Sequence, residues 1–178
     1  MSNSVILFTV LMVFTAIERL IEVRVSNRNA QWSLEQGGVE YGKSHYPFMV
    51  VLHTAFLFAC VGEVWLYDAP FIPALGYPAL LLALACQGLR WWCITTLGPR
   101  WNTRVIVVPN LPRITGGPYR FINHPNYVVV ALEGLALPLV HSAFTTALAF
   151  TVLNAGLMVV RIRCENAALS TLNASEAS

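Results

Sequence analysis

Apolar residues dominate five stretches of the chain, at about residues 4–24, 46–66, 74–97, 125–140 and 142–162, with polar residues collected between them. A helix needs about 20 such residues to cross a bilayer, with about 17 as the lower limit. Each stretch is therefore a candidate transmembrane helix, and the fourth is the shortest. The fourth and fifth meet at Pro138-Leu-Val-His-Ser142, which predicts a tight helical hairpin. Two connections are long. Residues 25–45 are polar, with Asn27, Asn29, Gln31, Gly37-Gly38, Glu40 and Lys43. Residues 98–124 hold Pro99, Pro109, Pro112, Pro118 and three glycines, a composition that argues against a long helix. Within it, Val105–Val108 reads as a short interfacial segment. The expected fold is an all-α integral membrane protein, a single domain over residues 1–178, with five transmembrane helices, a C-terminal helical hairpin and loops able to close over one site. No internal repeat or low-complexity tract is visible.

Composition agrees. The 178 residues are 56% hydrophobic and 11% charged, with a mean hydropathy of +0.60, whereas a soluble domain carries about a quarter charged residues. A net charge of +2 gives no reason to expect a nucleic-acid partner. The eleven Lys and Arg residues are read as lying at the membrane borders, all toward one side. Excess Lys and Arg mark the cytoplasmic side, so the N-terminus is expected outside and the C-terminus inside, with a bacterial inner membrane as the location. Trp91 and Trp92 beside Arg90 read as an interfacial belt. No signal peptide is expected, since Met1-Ser-Asn-Ser4 lacks a basic start and no cleavage site follows Val5–Ile17. Cys60, Cys86, Cys93 and Cys164 form no CxxC and read as small buried apolar residues, so no metal is expected. The sequon Asn173-Ala-Ser175 falls in the expected cytoplasmic tail and is set aside.

The chemistry concentrates in Gly116–Tyr127, GGPYRFINHPNY, and in Arg161-Ile-Arg-Cys-Glu165. His124-Pro125 has the form of a helix start, because proline's missing N–H would be unpaired there anyway. The free amides of that first turn and the helix dipole can hold an anion; the alternative is that His124 merely caps the helix. Tyr119, Phe121 and Tyr127 add flat faces suited to a purine ring, which points to a nucleotide-like ligand. Arg161 and Glu165, four apart, share one helix face, but Arg before Glu opposes the helix dipole and is the weaker order for a stabilising pair. Arg161 is suited to fork onto an anionic substrate oxygen, and Glu165 to accept from a cofactor's amine or hydroxyls; these two are the catalytic candidates. Glu133 in the fourth span and His53 in the second are candidate substrate-binding groups, since ionisable residues inside a membrane mark functional sites. For Glu133 a structural hydrogen bond between helices competes evenly. Glu18 lies about 21 Å along the helix from Ser4, near the border, so Glu18 and Glu22 read as interfacial. GxGxxG, P-loop, HExxH and Ser/His/Asp patterns are absent.

The segment Gly117-Pro-Tyr-Arg-Phe-Ile-Asn-His-Pro-Asn-Tyr127, followed by an apolar hairpin and Arg161…Glu165, resembles the isoprenylcysteine carboxyl methyltransferase family over about residues 104–169. Ser26-Asn-Arg-Asn29 and the stretch Gly37–Tyr46 resemble a bacterial subgroup found beside type III polyketide synthases, which acts on alkylpyrone or alkylresorcinol lipids. The resemblance implies S-adenosylmethionine as cofactor, bound in the cytoplasmic loops by Leu111, Pro112, Arg113, Ile114, Tyr119, His124, Pro125, Asn126, Tyr127 and Glu165. It makes Arg161 the substrate-contacting arginine, and Arg104 falls where a further cofactor contact is expected. Two positions depart from the family pattern: Asn123 stands for the Arg before His-Pro, and Asn166 for the second acid of a Glu-Glu pair. The implied activity is O-methylation of an anionic oxygen on a lipophilic acceptor drawn from the membrane. A prenylcysteine carboxylate is the alternative acceptor. Two rival readings are an NADPH-dependent sterol-type reductase and a non-catalytic transport or scaffold protein. Against the latter stand the two ligand-sized loops on a single side and the expected absence of paired intramembrane charges along one path.

Overall fold

A computed structural model describes residues 2–109, 111–112 and 114–176, with the backbone alone for residues 169 and 171–176. Five helices form the bundle: α1 Asn3–Glu35, α2 Tyr46–Leu66, α3 Pro73–Leu97, α4 Pro125–Leu139 and α5 Phe144–Glu176. Successive helices run in opposite directions. Thr9 of α1 accepts from Trp65 at the end of α2, and Ser4 meets His141 between α4 and α5. At the other end Tyr46, opening α2, lies against Thr103. The chain is an all-α integral membrane protein. Four of its helices are long and apolar enough to cross a bilayer. The fourth, at 15 residues, is about 22 Å long and falls short of the roughly 30 Å hydrocarbon core.

The core joins Phe8 and Met12 of α1, Phe56 and Cys60 of α2, Ala83 of α3, Leu137 of α4 and Phe150 of α5. Leu7, Phe58, Leu81 and Leu148 point outward and are well exposed, as a lipid-facing surface requires. The expected hairpin is present. It turns through Ser142 at a φ of 56°, and α4 approaches α5 so closely that a Cβ on Gly134 would lie 2.3 Å from the Phe150 ring. Cys60, Cys86 and Cys93 are buried and all four cysteines are free.

Two connections differ from the sequence reading. The polar stretch after residue 24 does not leave the helix: α1 continues for about three turns, to Glu35. Its polar residues alternate at helical spacing, and Ser26, Asn29 and Ser33 form a buried face. Asn29 Nδ2 donates to the Trp101 carbonyl at 2.8 Å, and Ser26 Oγ accepts from the Thr103 amide at 2.9 Å. This polar face thus supplies the hydrogen bonds that a loop backbone needs. Val105–Val108, expected as an interfacial segment, instead contains strand β2 (Val105–Val107). It pairs antiparallel with β1 (Val39–Tyr41), with Val39 opposite Val107 and Tyr41 opposite Val105. The two long connections are therefore tied together over the end of the bundle, and Ala168 of α5 packs beneath them.

The borders also need correcting. Arg19, Glu22 and Arg90, read as interfacial, are drawn into the bundle. Glu22 and Arg90 are buried, and with Glu133 they form a charged network across α1, α3 and α4. Contrary to the expectation from the sequence, paired intramembrane charges are present.

Candidate functional site

α4 begins at Pro125 with His124 in the capping position, as the sequence predicts. The His124 side chain makes no cap hydrogen bond, so capping is not its role. It turns instead to α5: Nδ1 lies 3.6 Å from Glu165 Oε1, and Nε2 lies 3.3 Å from Asn166 Oδ1. Tyr127, one turn into α4, donates its hydroxyl to Glu165 Oε2 at 2.7 Å. The turn Gly117–Arg120 can pack closely against α3 because Gly117, at a φ of +55°, has no side chain: a Cβ there would lie 2.4 Å from Thr96 Oγ1. This packing half-buries Tyr119, whose hydroxyl pairs with Cys93; the partial burial pushes the phenol well above its ordinary range.

Two cavities meet here. The outer one, about 140 Å³, lies under the 98–107 segment and is walled by Arg104, Tyr119, Asn123, His124, Asn126 and Glu165 among others. A continuation of about 180 Å³ shares Tyr119 and Glu165 and adds Leu111, Pro112 and Ile114. The inner cavity, about 170 Å³, lies between α1, α2 and α5, with chiefly apolar walls that include Val50, Leu57, Val130, Leu157 and Met158. Trp101, Asn102, Asn126, Tyr127 and Arg161 belong to both inner and outer cavities. Arg161, 7% exposed, stands at the junction. Its Nη2 donates to the Thr103 carbonyl at 2.8 Å and its Nη1 lies against the Met49 sulfur. Among the described residues no direct Arg161–Glu165 ion pair forms; each is held by other partners, as the unfavourable sequence order suggests.

Most sequence-predicted residues are brought together: Leu111, Pro112, Ile114, Tyr119, His124, Asn126, Tyr127, Arg161 and Glu165 all wall the outer cavity or its continuation. Arg113 lies outside the described residues. Pro125 is fully buried and stands in neither wall; it sets where α4 starts. His53 walls the inner cavity and its Nδ1 lies 2.8 Å from the Met49 carbonyl. Glu133 does not reach that wall: its two carboxylate oxygens are taken by Arg19 and Arg90, so the interhelical role wins. Sequence reasoning passed over Trp101-Asn-Thr103, Tyr46 and Met49. The first of these could have been suspected as a hydrogen-bonding triplet directly after Gly98-Pro-Arg100, just beyond the end of α3.

The outer cavity suits a polar, many-handed ligand. Buried polar atoms normally find partners, yet Trp101 Nε1, Asn102 Nδ2, Arg104 Nε and Asn126 Oδ1 are buried without one, and all four side chains wall this cavity. Arg104 also stacks 5.1 Å from the Tyr46 ring and lies 3.7 Å from Glu40.

The model of the isoprenylcysteine carboxyl methyltransferase (ICMT) family matches residues 79–171, more than half of the chain. The "Uncharacterized protein YpbQ" of Bacillus subtilis is 38% identical over 164 residues, 92% of this chain and 96% of the relative. An "Uncharacterized protein" of Haemophilus influenzae is 26% identical over 157 residues, 86% of this chain and 90% of its own length.

Proposed function

The chain belongs to the isoprenylcysteine carboxyl methyltransferase family, and from that premise we propose that it is an S-adenosylmethionine-dependent O-methyltransferase acting on a lipophilic acceptor. The acceptor oxygen is anionic, an enol, phenol or carboxylate, and an alkylpyrone or alkylresorcinol lipid is the acceptor we favour. A type III polyketide synthase is the class of enzyme that makes such lipids. The observation that carries this reading is the meeting of an apolar and a polar cavity at Asn126, Tyr127 and Arg161.

S-adenosylmethionine supplies a methyl group on a sulfonium; the S–CH₃ bond breaks as the O–CH₃ bond forms, and both charges disappear. In this reading Glu165, fixed by Tyr127 and His124, holds the cofactor in the outer cavity, with Tyr119, Asn126 and the 111–114 segment. Arg161, immobilised by Thr103, aims the acceptor oxygen from the inner cavity. A hydroxypyrone or carboxylate is already ionised near neutral pH, so orientation rather than a base supplies the rate; a resorcinol hydroxyl, with an ordinary pKa of about 10, first releases its proton to solvent and is aimed as the phenolate. Exclusion of water favours a step in which charge is lost. The outer cavity faces the cytoplasm, and the protein resides in a bacterial inner membrane.

Calorimetry on the purified protein with S-adenosylmethionine, its demethylated product and NADPH tests the cofactor. Binding of the first two but not NADPH is expected; NADPH binding alone would point to reductase chemistry. Labelled methyl transfer to a long-chain hydroxypyrone and to a farnesylcysteine analogue then separates the two acceptor classes.

A further inference from the structure

The inner cavity is not apolar throughout. Arg19 and Glu22 of α1 and Arg90 of α3 stand in its wall, and Glu133 lies behind them. Arg19 Nη1 donates to Glu22 Oε2 at 2.8 Å, and Nη2 donates to Gln87 Oε1 at 2.8 Å and Glu133 Oε1 at 3.1 Å. Arg90 pairs with Glu133, and its Nε is 3.7 Å from Glu22 Oε1. The protein leaves this network incomplete. Arg19 Nε and Arg90 Nε are buried without a hydrogen-bond partner, and among the described residues only the distant Arg90 Nε faces Glu22 Oε1.

Stability alone does not call for such a network. Packed apolar groups in place of buried ion pairs are often neutral or stabilising, and ionisable groups within a membrane characteristically face a cavity and mark a ligand's path. Two arginines face two glutamates, so the formal charges cancel. A site of this kind favours a neutral dipole over a second anion: an arginine N–H donates to a carbonyl or hydroxyl oxygen, and Glu22 accepts from an O–H.

We propose that Arg19, Glu22 and Arg90 form a second polar binding point in the inner cavity, which takes a neutral hydroxyl or carbonyl on the acceptor's head, separate from the oxygen aimed by Arg161. This rests on the reading of the inner cavity as the acceptor site. The preferred acceptor is then a ring with two oxygen substituents and an alkyl tail, and the three residues determine specificity without touching the transferred methyl.

The probes are an alkylresorcinol and the alkylphenol of equal chain length, which lacks one ring hydroxyl. Binding to the full chain in detergent is read from tryptophan fluorescence, since Trp101 walls the cavity. A hydrogen bond to a charged group predicts a preference of about tenfold or more for the resorcinol in the wild type. The paired variant Arg19→Met with Glu22→Gln, which leaves no lone charge, should bind both probes at the phenol's affinity, with affinity for S-adenosylhomocysteine unchanged. If that variant does not fold, Glu22→Gln alone should narrow the preference several-fold. Equal affinity for both probes in the wild type, or a preference retained in the variants, overturns the second binding point while leaving the acceptor cavity standing. Wild-type protein that binds S-adenosylhomocysteine but neither probe overturns the acceptor reading and this inference with it.

Discussion

Arg161 sits where the two cavities join, and its guanidinium is fixed on one side by the Thr103 carbonyl, which leaves other N–H groups to aim an acceptor oxygen. Arg161→Ala removes charge-assisted hydrogen bonds worth on the order of 1.5–3 kcal/mol. Turnover should fall about tenfold or more, at about 1.4 kcal/mol per decade, while calorimetry shows cofactor affinity near wild type. Arg161→Lys should rescue little, because a point charge lacks the fork; full activity in Arg161→Ala would place the acceptor elsewhere. His124→Ala should do the opposite and weaken binding of S-adenosylmethionine, since it removes a contact that steadies Glu165. Unchanged affinity by calorimetry would take His124 out of the cofactor site. These residues were legible in the sequence because each sits in a dense local pattern: a His-Pro helix start, aromatic neighbours, and an Arg–Glu spacing poor for a simple salt bridge. Arg19, Glu22 and Arg90 were not. Counting residues along a helix gives depth but not rotation, and only the packed helices show that one face of α1 turns these side chains toward Glu133.

The elements follow the same division. The hairpin of α4 and α5 was readable from Pro138 and the short polar turn, and the fourth apolar stretch already looked short. The extension of α1 and the β1–β2 ribbon were missed for a physical reason: Ser26, Asn29 and Ser33 are polar yet buried, so their pattern resembles a loop until the backbone groups they satisfy are known. The Val105–Val107 strand is three residues long, too short for an alternating pattern to announce itself. The α4–α5 contact yields a further prediction. Gly134→Ala would improve helix propensity by about 1 kcal/mol, but its methyl would meet a Phe150 ring that is itself wedged 4.1 Å from Phe56, centroid to centroid. Overpacking costs typically about 1–3 kcal/mol, so the steric term should win and the melting temperature in detergent should fall. Phe150→Leu in the same chain should recover part of that loss; a Gly134→Ala protein as stable as wild type would mean that the hairpin opens easily.

At the scale of the whole molecule, the one-sided charge survives the correction to its details. Arg19, Arg90 and Arg161 belong to the interior and carry no weight as border markers. Arg24, Arg28, Lys43, Arg100, Arg104, Arg120 and Arg163 still gather at the end of the bundle that holds the outer cavity, whereas the opposite end, with Ser4, the 67–72 turn and His141, has no Lys or Arg among the described residues. The helices alternate in direction, so the start of α1 and the end of α5 lie at opposite ends. Lys and Arg resist translocation, which predicts a cytoplasmic C-terminus and an external N-terminus. Paired reporters check this: a C-terminal fluorescent-protein fusion should glow, and a C-terminal phosphatase fusion should be inactive. The orientation also decides which ligand enters from which phase. With the outer cavity inward, a water-soluble cofactor reaches Glu165 from the cytoplasm while the lipid stays in the membrane, and neither crosses the other's path to Arg161. An active C-terminal phosphatase would reverse the molecule, open the polar cavity to a compartment without the methyl donor, and defeat the methyltransferase mechanism proposed for this site.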